Sequence, residues 1–204
     1  MKDKRKAYMK DIFSLLGVSV LLFSGSARAD TWKIDGNHTA AQFSVRHMGI
    51  STVRGAFTKV SGTVDYDPAD MTKSTIAVSI DATSIDTRVE MRDNDLRGPH
   101  FFEVDKYPTI TFKSTKIEAA GPGKLKATGD LTLHGVTKQV VLDVDGLTDP
   151  VKDGRGNTHL GASASTKIDR TEFGMTRMTG VVGTDITITI DVELLKPAAP
   201  AAGK

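Results

Sequence analysis

Residues 87–112 read TRVEMRDNDLRGPHFFEVDKYPTITF. This stretch decides the fold because it breaks the rule that the rest of the chain obeys. Elsewhere apolar and polar residues alternate with period two, the mark of strands buried on one face. Here alternation stops at Thr87 and resumes at Thr109. Thr87 and Glu90 have the spacing of a capping box, in which each side chain satisfies an orphan amide of the first helical turn. Gly98-Pro99 supplies the stop, since proline cannot continue a helix. Phe101 and Phe102 follow at once, a large apolar pair in a polar connection. A lone helical insertion over about residues 87–104, ending in paired aromatics, needs a sheet surface or a cavity to cover.

Outward from it, both flanks read as strands. Downstream, Ile110 and Phe112 restart the pattern, and Leu125, Ala127, Gly129, Leu131 and Leu133 alternate with Lys126, Thr128, Asp130 and Thr132. Gly121-Pro122-Gly123 and His134-Gly135 mark turns between such runs. Val140–Val144, Leu160–Ile168 and Ile186–Leu194 continue the alternation. Upstream, Ile76, Val78 and Ile80 form one face, and Ala41, Phe43, Val45 and His47 another. Trp32 and Ile34 make a short opening strand, which Asp35-Gly36-Asn37 is expected to turn. Between Thr52 and Tyr66, Phe57 and Val60 share a face only if an extra residue intervenes, so a bulge is expected near Thr58-Lys59. About eight strands at hairpin spacing, with one helical insertion and no internal repeat, give an all-β, antiparallel class. An eight-stranded barrel is favoured over a sandwich because closure removes the sheet edges.

The termini read differently. A basic start (Lys2, Lys4, Arg5, Lys6, Lys10), an apolar run from Ile12 to Phe23 and the Ala27-Arg28-Ala29 site have the form of a cleavable export signal over residues 1–29. Residues 30–195 then form the barrel domain, and 196–204 an Ala/Pro-rich disordered tail. Six of the 27 Lys/Arg and two of the 25 Asp/Glu lie in residues 1–29, which leaves 21 against 23 and a net charge of −2. That balance gives nucleic acid no reason to bind. The absence of cysteine leaves stability to the core. The expected location is the periplasm.

Charged residues at mid-strand, such as Asp130 and Asp191, weigh against a transmembrane barrel, whose lipid face excludes charge. One Trp and two Tyr beyond residue 29 supply no aromatic girdles. The apolar faces therefore point inward. Whether they enclose a cavity or a filled core stays open. Gly62, Ala127, Gly129, Ala162 and Ala164 on inward faces leave volume, which Phe101 and Phe102 could fill.

Four blocks carry a resemblance. NHTAAQFSVRHMGISTVRGAF (Asn37–Phe57), SIDTRVEMRDNDLRGPHFFEVDKYPTITFKST (Ser84–Thr115), GDLTLHGVTKQV (Gly129–Val140) and RTEFGM (Arg170–Met175) resemble, in order, those of the YceI-like family of bacterial periplasmic proteins. The resemblance implies a lipocalin-like barrel, usually a homodimer, that binds polyisoprenoids (isoprenoid quinones or polyprenyl phosphates) in a long apolar tunnel. The expected tunnel residues are Phe43, Val45, His47, Phe57, Val78, Ile80, Phe101, Phe102, Ile110, Phe112, Leu131 and Phe173. Head-group candidates are His47, Arg92 and Arg97. No metal or catalytic cofactor is expected, because the five His lack metal-ligand spacing. No nucleophile elbow or Gly-rich phosphate loop is present either, so no enzyme is expected. A barrel without stoichiometric ligand, acting as a stress-related or chaperone-like interaction module, is the alternative.

Overall fold

The computed structural model describes residues 30–198. The expected export signal (residues 1–29) and the final six residues of the expected tail lie outside the described residues. Twelve strands form one antiparallel sheet: β1 (Asp30–Ile34), β2 (Ala40–His47), β3 (Ser51–Phe57), β4 (Val60–Tyr66), β5 (Thr75–Asp81), β6 (Ile85–Asp86), β7 (Thr109–Gly121), β8 (Lys124–Leu133), β9 (Val136–Asp145), β10 (Val151–Lys152), β11 (Thr158–Asp169) and β12 (Val182–Lys196). Among the described residues a single α-helix, α1 (Glu90–Arg97), interrupts them.

The twelve reduce to eight staves. β1 and β2 run along the same edge of β12, at Ile34↔Leu194 and Ala40↔Asp191. The Asp35 amide bonds the Glu193 carbonyl between them at 2.8 Å. The expected turn at Asp35-Gly36-Asn37 is therefore a kink within one stave and does not reverse the chain. β3 and β4 are likewise one stave broken at Thr58-Lys59, where the bulge was expected, and Phe57 and Val60 are both buried. β5 and β6 are joined by a 3-10 turn at Ala82–Ser84. β10 is a short arm on β11.

Closure comes from β11 and β12, which pair over twelve residues from Thr158↔Lys196 to Asp169↔Asp185. The ring is then complete and no long edge is left to template aggregation. The outer wall carries the Lys126–Asp143 and Lys167–Asp185 ion pairs, which a hydrocarbon-facing wall does not hold. Among the described residues no helix is long and apolar enough to cross a membrane.

Up-and-down connectivity sorts the connections between two ends. The β2–β3 turn, the α1 segment, the β8–β9 turn and the β11–β12 loop share one end. The chain start, residues 67–74, the β7–β8 turn and residues 146–157 share the other. That second end is corked by Trp32, Leu160 and Leu194, with Ile34, Val64, Tyr66, Leu147 and Val192 packed around them.

Of the inward small residues, Gly62, Ala127 and Gly129 are closely covered by their neighbours. A Cβ on Gly129 would lie 2.5 Å from the Phe112 ring and from the Lys113 carbonyl, so Phe112 already fills that space. Ala127 is fully buried. Gly62, at φ +153, lies against the Ala77 carbonyl.

Candidate functional site

Alternation puts Phe43 and Val45 of β2, Val78 and Ile80 of β5, Ile110 and Phe112 of β7, and Leu131 of β8 on the inner wall. With Phe57, they surround an apolar cavity of about 160 Å3 in the upper half of the barrel. Phe101 and Phe102, just past α1, line it from the end that holds the α1 segment. Phe102 stands edge-on to Phe57 at 5.5 Å between ring centroids, and Phe57 leans on Phe43 at 5.8 Å. The wall carries no carboxylate, imidazole or lysine; its polar side chains are Gln42, Thr111, Thr166 and Arg170. Arg170 is buried and spends its guanidinium on the carbonyls of Met175, Val182 and Gly183. A space of this kind stays dry and selects for hydrocarbon.

Several expected site residues lie elsewhere. His47 pairs with Val182 one step past the wall, at the rim. Phe173 is fully buried in the core but does not border the cavity, because the 3-10 turn Arg170–Phe173 places it beside the β8–β9 turn, where its carbonyl meets His134 Nδ1 at 2.9 Å. Arg92 donates to Thr87 Oγ1 and O. Arg97 donates to the carbonyls of Thr83 and Ile85. Arg97 staples the helix to β6 and the turn before it, Arg92 staples it to Thr87, and neither lines the cavity.

The capping box also resolves differently. The N-cap is Val89, without a side-chain bond. Thr87 Oγ1 and N instead donate to the buried carboxylate of Asp93, at 2.5 and 2.9 Å. Arg88 in left-handed geometry (φ 66) delays the helix, so Asp93 rather than Glu90 meets Thr87.

Sequence reasoning missed Leu96, Leu133, Val140, Leu142, Ile168, Met175, Val182 and Ile186, Ile188 and Ile190, all of which line the cavity. The signal was present for most: they continue the same inward alternation.

A second polar grouping lies outside the barrel at the corked end. Asp35, His38 and Glu193 bring ligand atoms within 4.8 Å of one another. His38 Nδ1 meets Asp35 at 2.9 Å, and His159 bridges Glu193 (2.6 Å) and Asp153 (3.3 Å). The Asp35 carboxylate raises the His38 imidazole above its ordinary value. Asp153 and then Glu193 do the same for His159. Asp153 is pulled down to about 2, first by the Asn157 amide and then by His159. The His159 bonds tie the 153–157 loop to β12, and the His38–Asp35 bond braces the stave kink on itself.

Comparison with known proteins agrees with this geometry. The sequence profile of the YceI-like domain matches residues 32–194. Protein YceI of Escherichia coli O157:H7 is 35% identical over 186 residues, 90% of this chain and 96% of the relative. The crystal structure of a Campylobacter jejuni YceI protein superposes with a TM-score of 0.67 at 35% identity, over 74% of this chain and 90% of that one. A polyisoprenoid binding domain from Saccharophagus degradans, implicated in plant cell wall breakdown, superposes with a TM-score of 0.61 at 16% identity, over 81% of this chain and 98% of that one. At that identity the likeness is one of fold.

Proposed function

This chain belongs to the YceI-like domain family, and from that premise we propose that it is an exported lipid-binding protein that shelters a polyisoprenoid tail inside its barrel, in the periplasm and as a homodimer. The observation that carries the reading is the cavity wall: apolar almost throughout, without an ionisable group to spare, and bordered by Phe101 and Phe102. Such a wall offers hydrocarbon burial and no chemistry. Each buried CH₂ is worth about 0.8 kcal/mol, so a five-carbon unit contributes about 4 kcal/mol. A dry cavity of roughly 150 Å3 holds one benzene-sized group, so the 160 Å3 here admits the tip of a prenyl chain and little more. A longer chain enters by displacing the Phe101–Phe102 plug.

Mass spectrometry of organic extracts from the purified protein tests the proposal. A stoichiometric isoprenoid, or saturable uptake of an added isoprenoid quinone by delipidated protein, is expected. Neither lipid nor uptake would leave the barrel as an interaction module. Sedimentation equilibrium checks the homodimer.

A further inference from the structure

We propose that Asp35, His38 and Glu193 form a binding site for a divalent first-row transition-metal ion of the Zn²⁺ kind, on the outside of the barrel at its corked end. The site is separate from the cavity and does not depend on what the cavity holds. It is built where the stave kink meets β12. Two carboxylate oxygens and one imidazole nitrogen lie there within 4.8 Å of one another. Donors that share one ion at about 2.0–2.2 Å stand up to about 4.4 Å apart, so the group needs only a small contraction to close on it. Spacing along the chain showed no metal site, because the kink and β12 come from opposite ends of the sequence and only antiparallel pairing joins them.

The backbone fixes the frame. The Asp35 amide donates to the Glu193 carbonyl at 2.8 Å, and the Glu193 amide donates to Thr39 Oγ1 at 3.2 Å. Asp35 Oδ1 accepts from the Asn37 amide, which leaves Oδ2 to meet His38 Nδ1 at 2.9 Å. The Glu193 carboxylate is held from its other side by His159 Nδ1 at 2.6 Å, and Asp153 meets Nε2 of the same ring at 3.3 Å. Outer partners of this kind orient a metal ligand. His38 is the adjustable donor: its side chain is 64% exposed, against 16% for Asp35 and 32% for Glu193. On binding, the ion takes the place of the Nδ1 proton between His38 and Asp35.

Charge and donor chemistry identify the ligand. Asp35, Asp153 and Glu193 are drawn together, and Asp191 lines the same groove as Glu193. Among the described residues none of these four carboxylates pairs with a lysine or an arginine; Lys33, Lys152 and Arg155, the basic residues nearest in the chain, pair with none of them. Only the two imidazoles stand among them, close enough for the charge of His159 to act on both Asp35 and His38. A divalent ion relieves the repulsion between the carboxylates more fully than a proton does. Imidazole among the donors favours Zn²⁺ and its neighbours over Ca²⁺ and Mg²⁺, which take oxygen ligands. Softer ions that need thiolate find none, since the chain has no cysteine. Three protein donors leave a fourth tetrahedral position, which water fills from the open groove that His38, His159 and Glu193 line.

The test is calorimetric titration of Zn²⁺ into the chain without residues 1–29, carrying no polyhistidine tag and stripped with EDTA. Saturable binding of one ion per chain is expected, and Co²⁺ in its place should give the visible absorption of a tetrahedral site. His159→Gln should weaken Zn²⁺ binding about tenfold, and His38→Ala or Glu193→Gln about a hundredfold or more. His100→Gln, at an exposed imidazole on the opposite end, should bind as the parent does. Zn²⁺ should raise the melting temperature of the parent and leave that of His38→Ala unchanged; melting in EDTA confirms that each variant folds. No saturable binding by the parent, or binding that His38→Ala and Glu193→Gln leave undiminished, overturns the site. So does a loss in His100→Gln equal to that in His38→Ala, the mark of ions scattered over surface imidazoles.

Discussion

Arg170 shows how much one side chain can hold. It is buried, and its guanidinium ties the carbonyls of Met175, Val182 and Gly183 together across the β11–β12 loop. Arg170→Met leaves those acceptors unpaired, and a loss of about 3 kcal/mol is expected in urea unfolding. Arg170→Lys should recover little, because an ammonium cannot span three carbonyls in one plane. Gly129→Ala drives a methyl into the Phe112 ring and the Lys113 carbonyl at 2.5 Å, so a loss of about 1–3 kcal/mol is expected by thermal melting. Neither role was legible beforehand. RTEFGM was read as a family block, and Gly129 as spare volume, because alternation gives the face a residue occupies but not what stands opposite it. Thr87 failed for a related reason: nothing in the spacing announces that Arg88 turns left-handed and moves the helix start away.

Element by element, the chain was far more readable. Period-two alternation found the staves and the Thr58-Lys59 break, and proline chemistry the Gly98-Pro99 stop, since each has a local physical cause. The turn at Asp35-Gly36-Asn37 was legible, but not that it kinks one stave, because the same residues serve kinks and reversals and only pairing along β12 separates them. The helical segment carries the clearest prediction at this scale. Phe102→Ala removes the edge-on contact with Phe57, worth about 0.5–1.5 kcal/mol beyond burial, so bound quinone should leave about tenfold faster in stopped-flow release. At the opposite end, His38 and His159 have raised values, so their clamps are complete below the unfolded histidine value of about 6.5 and fade as the pH climbs through the folded values. Asp153 acts in the opposite sense: its contribution is complete above the ordinary aspartate value and fades as the pH falls through about 2. Amide exchange in residues 153–157 should therefore be slowest, after correction for intrinsic rates, in mildly acidic solution. His159→Gln should remove its rise toward alkaline pH.

For the molecule as a whole, closure through β11 and β12 makes the interior a single thermodynamic unit. Cargo bound only by the folded barrel stabilises it by about 2.7 kcal/mol at a hundredfold excess over Kd. At about 2–4 °C per kcal/mol for a domain of this size, a quinone should raise the melting temperature by about 5–10 °C. The cork of Trp32, Leu160 and Leu194 then sets the traffic rule. A vessel with one sealed end is filled and emptied through the same doorway, last in and first out. A long-tailed guest, if the proposed function holds, goes in hydrocarbon foremost, with its polar end left standing on the threshold.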